Sequence, residues 1–449
     1  MKTLRTPLLA LGGLFVGLAL AACGAVPMPT ATRAPVNTPI AATAVATIVA
    51  AAPATAITIP TPTRPALSPT AVPAKPAEAT KPVATVAAQP TVVVTVVQPG
   101  GPAATIAGAI PKIDTFVKGL TAPWAIAFAP DGRIFITERS GRVRIVENGQ
   151  LLADPWMTIE VTEMGESGLL GIALDPGFAQ NRLAYLAYTY RGTDGRPLNR
   201  LARVREDPAT KKGVADKVLL DGVLAAGNHD GGRVKIGPDG KLYWGMGEAG
   251  QRTLSQDPAS LSGKILRLNL DGTIPSDNPT PGSAVYAIGL RNPQGLAWQP
   301  GTNRLYATDH GPSGENGCCR DELNFIEPGK NYGWPLITGD QKRDGLVSPV
   351  LQSGDGVWAP SGMTFVTKGP WSGSILFTAL RGTGLMRVQL DPANPTRVTA
   401  NEMLFTNQYG RLRDVAEGPD GTLYVLTSNR DGRGRPGPDD DRVLRLVFS

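Results

Sequence analysis

The chain has 449 residues, with 44 Lys and Arg against 38 Asp and Glu, and a formal net charge of +6. Residues 1–112 hold seven of those basic residues and one acid, Glu78, so residues 113–449 carry 37 of each sign. The larger part is neutral, which argues against nucleic acid as a partner and against a basic membrane-binding face.

Residues 1–22 combine a basic start (Lys2, Arg5) with an apolar run over 8–20, ending in Leu20-Ala21-Ala22-Cys23. This pattern predicts a secretory signal. The cysteine at the cut resembles the lipobox of bacterial lipoproteins. A transmembrane anchor is the alternative, but the run is short for a span. The expected mature chain begins at Cys23 with lipid attached, and several acyl chains give lasting membrane attachment. That places the protein outside the cytoplasmic membrane. Residues 23–111 are Ala, Pro, Thr and Val with very little charge. They predict a disordered tether with extended polyproline-like stretches. TVVVTVV at 91–97 is the one stretch that also reads as a stray strand.

Residues 112–449 repeat one motif, an apolar strand, a turn and a second apolar strand. The copies are WAIAFAPDGRIFIT (124–137), LLGIALDPGFAQNRLAYLAYT (169–189) and RVKIGPDGKLYWGMG (233–247). They continue as GLAWQPGTNRLYATD (295–309), GMTFVTKGPWSGSILFTAL (362–380) and RDVAEGPDGTLYVLT (413–427). Pro-Asp-Gly is turn chemistry, and helical periodicity is nearly absent. Six copies of one hairpin predict an all-β, six-bladed β-propeller, one four-stranded sheet per blade. A two-sheet sandwich gives no reason for the copies.

The turn prolines are Pro130, Pro176, Pro238, Pro300, Pro370 and Pro419. Eight or nine residues before them stand Thr121, Ser167, His229, Arg291, Ser361 and Arg411. Equivalent positions of the blades ring the propeller axis. His229, Arg291 and Arg411 are therefore expected at one mouth of the central channel, with Glu166, Asp230, Asn292 and Arg413 as neighbours. Arg291 alone reads equally as an inter-blade ion pair, and His229 alone as a structural histidine. Together they suit an anionic ligand, because guanidinium forks match carboxylates. A neutral imidazole beside them suits a general base. The chain has two histidines, His229 and His310.

The domain resembles the soluble pyrroloquinoline quinone (PQQ) dependent sugar dehydrogenases, the glucose and aldose sugar dehydrogenase group. The resemblance covers nearly all of 113–449. It rests on ESGLLGIALDP (166–176), NHDGGR (228–233), GLRNPQGLAW (289–298), DHGP, DELN and NYGWP within 309–335, APSGM (359–363) and RLRDV (411–415). It implies a six-bladed propeller that oxidises aldoses at C1 to lactones. It implies His229 as the base, and Arg291 and Asn292 against the quinone carbonyls, where Arg291 would stabilise oxyanion charge. Arg411 and Arg413 would grip the cofactor's carboxylates. Arg381 stands where glucose-oxidising members use lysine, Glu166 where some members have an amide, and Glu248 where an aspartate orients the base. These departures bear on the substrate more than on the chemistry.

Calcium is implied as well, with the carbonyls of Gly311 and Pro312 at the cofactor's ion. Glu322 and the Tyr332 carbonyl would form a second site to which Asp321 would contribute, although Asp321 and Glu322 also read as a solvated turn. The adjacent Cys318 and Cys319 are expected to oxidise in an exported protein, either to each other or to another chain. A carbohydrate-binding propeller without a redox cofactor and a calcium-dependent lactonase are the competing readings. Neither the individual sugar nor the electron acceptor is legible; no Cys-x-x-Cys-His haem motif occurs in the sequence.

Overall fold

The computed structural model describes residues 106, 108–313 and 318–448. The signal peptide, Cys23, the tether up to residue 105 and the 91–97 stretch lie outside the described residues. The described chain forms six antiparallel sheets. In chain order their first strands are Pro123–Phe128, Leu169–Leu174, Val234–Ile236, Pro293–Trp298, Pro360–Phe365 and Leu412–Glu417. Each of these strands packs against the first strand of the next sheet, and the last packs against the first. A closed ring of sheets is a six-bladed propeller, as the repeat predicts, and each expected hairpin supplies the two innermost strands of a blade.

The ring is closed by strand exchange between the chain ends. The last blade takes Leu412–Glu417, Leu423–Thr427 and Arg442–Val447 from the C-terminal part, and its outer strand, Lys112–Lys118, from the N-terminal part. Lys112 pairs with Val447 and Lys118 with Arg442. One helical turn, Phe178–Asn181, and a short 3-10 turn, Arg252–Ser255, interrupt the β structure.

The inner strands are largely apolar because they are buried on both faces. Leu169–Leu174 is buried at its first five positions. Side chains there would hold neighbouring blades apart, and two glycines let the backbones meet. A Cβ on Gly171 would stand 2.2 Å from the Gly232 oxygen, and one on Gly295 would stand 2.4 Å from the Ser361 oxygen.

One buried ion pair knits the blades at the axis. Arg233 Nη1 donates to Asp414 Oδ2 at 2.9 Å, and Arg233 Nε donates to the Gln294 carbonyl. The Arg233 guanidinium sits 4.3 Å over the Trp124 ring. Asp414 Oδ2 also accepts the Ile126 amide. Four blades therefore share one charge pair. Removing one partner leaves an uncompensated buried charge, which costs about 3–5 kcal/mol.

Candidate active site

His229 sits on the turn that leads into the third blade, with a left-handed φ of 60°. The turn is held from both sides. Its carbonyl accepts the Ala249 amide, and a Cβ on Gly247 would lie 2.0 Å from that same oxygen, so only glycine fits at 247. Asn292 Oδ1 accepts the neighbouring Gly231 amide at 2.9 Å.

Among the described residues the imidazole has one hydrogen-bond partner. His229 Nδ1 lies 2.7 Å from Oε2 of Glu248, whose side chain is 1% exposed. A carboxylate accepts, so Nδ1 is the nitrogen that donates here, and in the neutral imidazole this leaves the lone pair on Nε2. This is the arrangement in which a carboxylate fixes the tautomer of a base. Glu248 is itself fixed, because its amide donates to the Arg291 carbonyl and its Oε2 accepts the Gly250 amide.

His229 lines a cavity of about 420 Å³, within the size range of small-molecule sites. Arg291, Glu166, Arg381, Arg411, Arg413, Gly311 and Pro312 line it too. The predicted convergence of His229, Arg291 and Arg411 on one cavity is therefore what the structure shows. Thr121, Ser167 and Ser361 occupy the same repeat position but are not among the lining residues. Five predicted residues are not among the lining residues, and one of them, Asp230, is buried with its Oδ1 accepting the Ala226 amide and Asn199 Nδ2. Asn292 is fully buried and holds the His229 turn, while Glu248 orients the imidazole. Glu322 accepts hydrogen bonds from Asn324 and the Gly339 amide. The Tyr332 hydroxyl bonds to the Phe325 carbonyl and the Glu327 amide. No hydrogen bond joins Glu322 to Tyr332 among the described residues.

Asp321 corrects one expectation, since it is not in a solvated turn. It is buried. Its Oδ1 accepts the Gly311 amide, and its Oδ2 accepts the amides of Trp358 and Ala359. With both oxygens engaged by the backbone, Asp321 is the strut beneath Gly311. Cys319 also lines the cavity and is bonded to Cys318, the pairing within the chain that the sequence allows.

The lining includes residues that the repeat does not single out: Arg139, Gln294, His310, Asp431 and Arg433. Arg139 closes a second strand rather than preceding a first one. Asp431 and Arg433 sit in the Gly-rich loop NRDGRGRPGPDD at 429–440, whose composition signals only a turn. Asp431 is central to the site. It accepts Arg411 Nε at 2.8 Å and lies 3.6 Å from Arg413 Nη2. The side chain of Arg381 makes no hydrogen bond or ion pair among the described residues.

Six arginines therefore face one cavity with three carboxylates, Glu166, Asp321 and Asp431, in its lining. The cationic excess is strained. Burial, with Arg411 and Arg139 adding to it, pulls Arg413 down to about 9 against Asp431. Burial likewise lowers Arg291 and Arg139. Burial, reinforced by Arg291, holds His310 at about 3 against Glu166, so it is neutral. Burial works against the Glu166 carboxylate, but the Arg433 guanidinium and the His229 backbone amide favour its charged form and hold it below the ordinary carboxylate range. Arg413 Nε and His310 Nε2 are buried without a hydrogen-bond partner among the described residues. Such a cavity is completed by an anion that also supplies acceptors.

The family model for glucose/sorbosone dehydrogenases matches residues 120–437. The chain belongs to that family. Among relatives of this dehydrogenase, the aldose sugar dehydrogenase YliI of Escherichia coli (strain K12) is 34% identical over 351 residues, covering 73% of this chain and 92% of that protein. Quinoprotein glucose dehydrogenase B of Acinetobacter calcoaceticus is 28% identical over 433 residues, covering 74% of this chain and 87% of that protein. The PQQ-bound aldose sugar dehydrogenase of Streptomyces coelicolor superposes with a TM-score of 0.68 at 36% identity, over 76% of this chain and 99% of that one.

Proposed function

We propose that this dehydrogenase oxidises aldoses at C1 to lactones with PQQ as its cofactor. The observation that carries the reading is the single cavity in which a carboxylate-oriented histidine stands among six arginines. The residues present fit the cofactor. A polycarboxylate matches the cationic excess, and the buried Arg413 Nε, without a partner among the described residues, awaits an acceptor. When bound, the quinone supplies a two-electron acceptor for the hydride that leaves C1.

The chain's own residues do the rest. Arg411 and Arg413, held side by side by Asp431, grip carboxylates. Arg381 is free to hold another. Arg291 faces the cavity with its Nη1 and Nη2 only 3.5 Å from the His310 carbonyl and Ser313 Oγ, long contacts that a ligand oxygen would replace. It is placed to stabilise an oxyanion. His229 Nε2 accepts the proton of the anomeric hydroxyl, and Glu248 stabilises the resulting imidazolium through Nδ1. Glu166, whose Oε2 accepts the His229 amide at 3.2 Å, lines the cavity beside the base, where the sugar would sit.

Gly311 and Pro312 line the cavity, and their carbonyls accept no hydrogen bond among the described residues. Hard oxygen donors of this kind suit calcium, and Asp321 holds their backbone in place. Glu322 and Tyr332 remain candidates for a second ion. The lipobox-like sequence ending at Cys23 supports export and lipid attachment.

The test is reconstitution. Apo-protein is given PQQ and calcium, and reduction of an artificial dye is followed with a panel of aldoses. Turnover that requires both PQQ and an aldose is expected. No turnover with any sugar, together with no quinone binding, would remove the enzyme reading.

A further inference from the structure

The loop over residues 428–441 reaches the cavity with two side chains of opposite sign. Asp431 turns to Arg411 and Arg413 within its own blade. Arg433, two residues on, turns the other way. Its Nη1 meets Glu166 Oε1 at 2.6 Å, across 267 residues of sequence and from the last blade to the loop before the second. The Arg433 side chain is 53% exposed and that of Glu166 17%.

The two oxygens of Glu166 have separate tasks. Oε2 faces inward and accepts the His229 amide and Asn292 Nδ2. Oε1 has Arg433 as its hydrogen-bond partner. Any sugar whose anomeric hydroxyl reaches His229 passes this carboxylate. A carboxylate left open at that point would attract a cationic substrate, whereas one already paired offers it little.

Building on the function proposed above, we infer that Arg433 is a specificity-determining residue: by occupying Glu166 Oε1, it withholds that carboxylate and favours neutral aldoses over amino sugars. The Arg433 side chain makes no hydrogen bond to the base or to Arg411 or Arg413 among the described residues, and only its backbone amide reaches Asp431 Oδ1. It acts through the charge it cancels.

The experiment compares glucose with 2-amino-2-deoxyglucose at about pH 6, below the usual amino-group range of ~7.7–8.0. The quantity read is the ratio of kcat/KM for the amino sugar to that for glucose. Arg433→Gln is expected to raise it about two- to fivefold, the range for a solvent-screened charge. Arg433→Lys keeps the cation and should stay near wild type. Glu166→Gln/Arg433→Gln should lose the rise, because no open carboxylate remains. Calorimetric binding of both sugars to the apo-proteins supplies the same ratio without turnover, so a wild type that fails to oxidise any sugar counts against the proposed function and not against this inference. An unchanged ratio in Arg433→Gln by both readouts, or an equal rise in the double variant, would overturn it.

Discussion

Replacing His229 with asparagine is expected to lower kcat by about 10²–10⁴-fold, the range for loss of a positioned general base, and to change PQQ affinity less than about threefold. Asparagine is chosen because the position has a left-handed φ of 60°, which asparagine adopts more readily than alanine. The split follows from the geometry. Among the described residues the His229 side chain makes one hydrogen bond, to Glu248, and none to Arg291, Arg381, Arg411 or Arg413. Steady-state kinetics and a quinone titration on the same preparation read the two quantities. Equal losses in both would show that the imidazole is part of the cofactor grip rather than the base.

Arg411→Ala is expected to behave in reverse. A charge-assisted hydrogen bond contributes about 1.5–3 kcal/mol, so quinone affinity should fall roughly 10- to 150-fold. At saturating PQQ, kcat should stay within a few-fold of wild type. The substitution also unpairs one contact of Asp431, which keeps Arg413 at 3.6 Å as its nearby cation. A thermal melt of the apo-protein separates that cost from the loss of ligand contact. A large drop in kcat at full occupancy, with unchanged affinity, would place Arg411 in the chemistry and not in binding.

These contrasting outcomes rest on a feature that is legible in the amino-acid sequence. His229, Arg291 and Arg411 stand at one position of a repeated hairpin, and closing the hairpins into a ring must bring that position together. The propeller and the convergence are therefore readable from the repeat. The residues that hang from other positions are not. Arg139 ends a second strand, and Asp431 and Arg433 hang from a loop whose glycines and prolines say only that the chain turns. Their place in the site depends on how far a side chain reaches once the blades are set. The same limit explains Asp321 and Asn292. Sequence shows a carboxylate and an amide near the expected ligand, but not that each accepts hydrogen bonds from backbone amides. The closure of the last blade by Lys112–Lys118 is equally hidden, since one outer strand taken from the far end of the chain leaves no trace in the repeat.

Arg433 shows how a departure from family pattern is compensated. Glu166 brings a charge to a position where an amide is expected in some relatives, and a cation from a loop 267 residues away meets it. The substitution reads as a change of substrate preference in sequence. The structure adds the partner that keeps the charge from acting alone.

The most direct measurement is an equilibrium titration of the apo-protein with PQQ and, in parallel, with its trimethyl ester. If guanidinium groups from different blades jointly hold a polycarboxylate, PQQ binds one per chain, its affinity falls with added salt, and the ester binds about 100-fold or more weakly. Equal affinity for acid and ester, or several weak sites in place of one, would contradict the account.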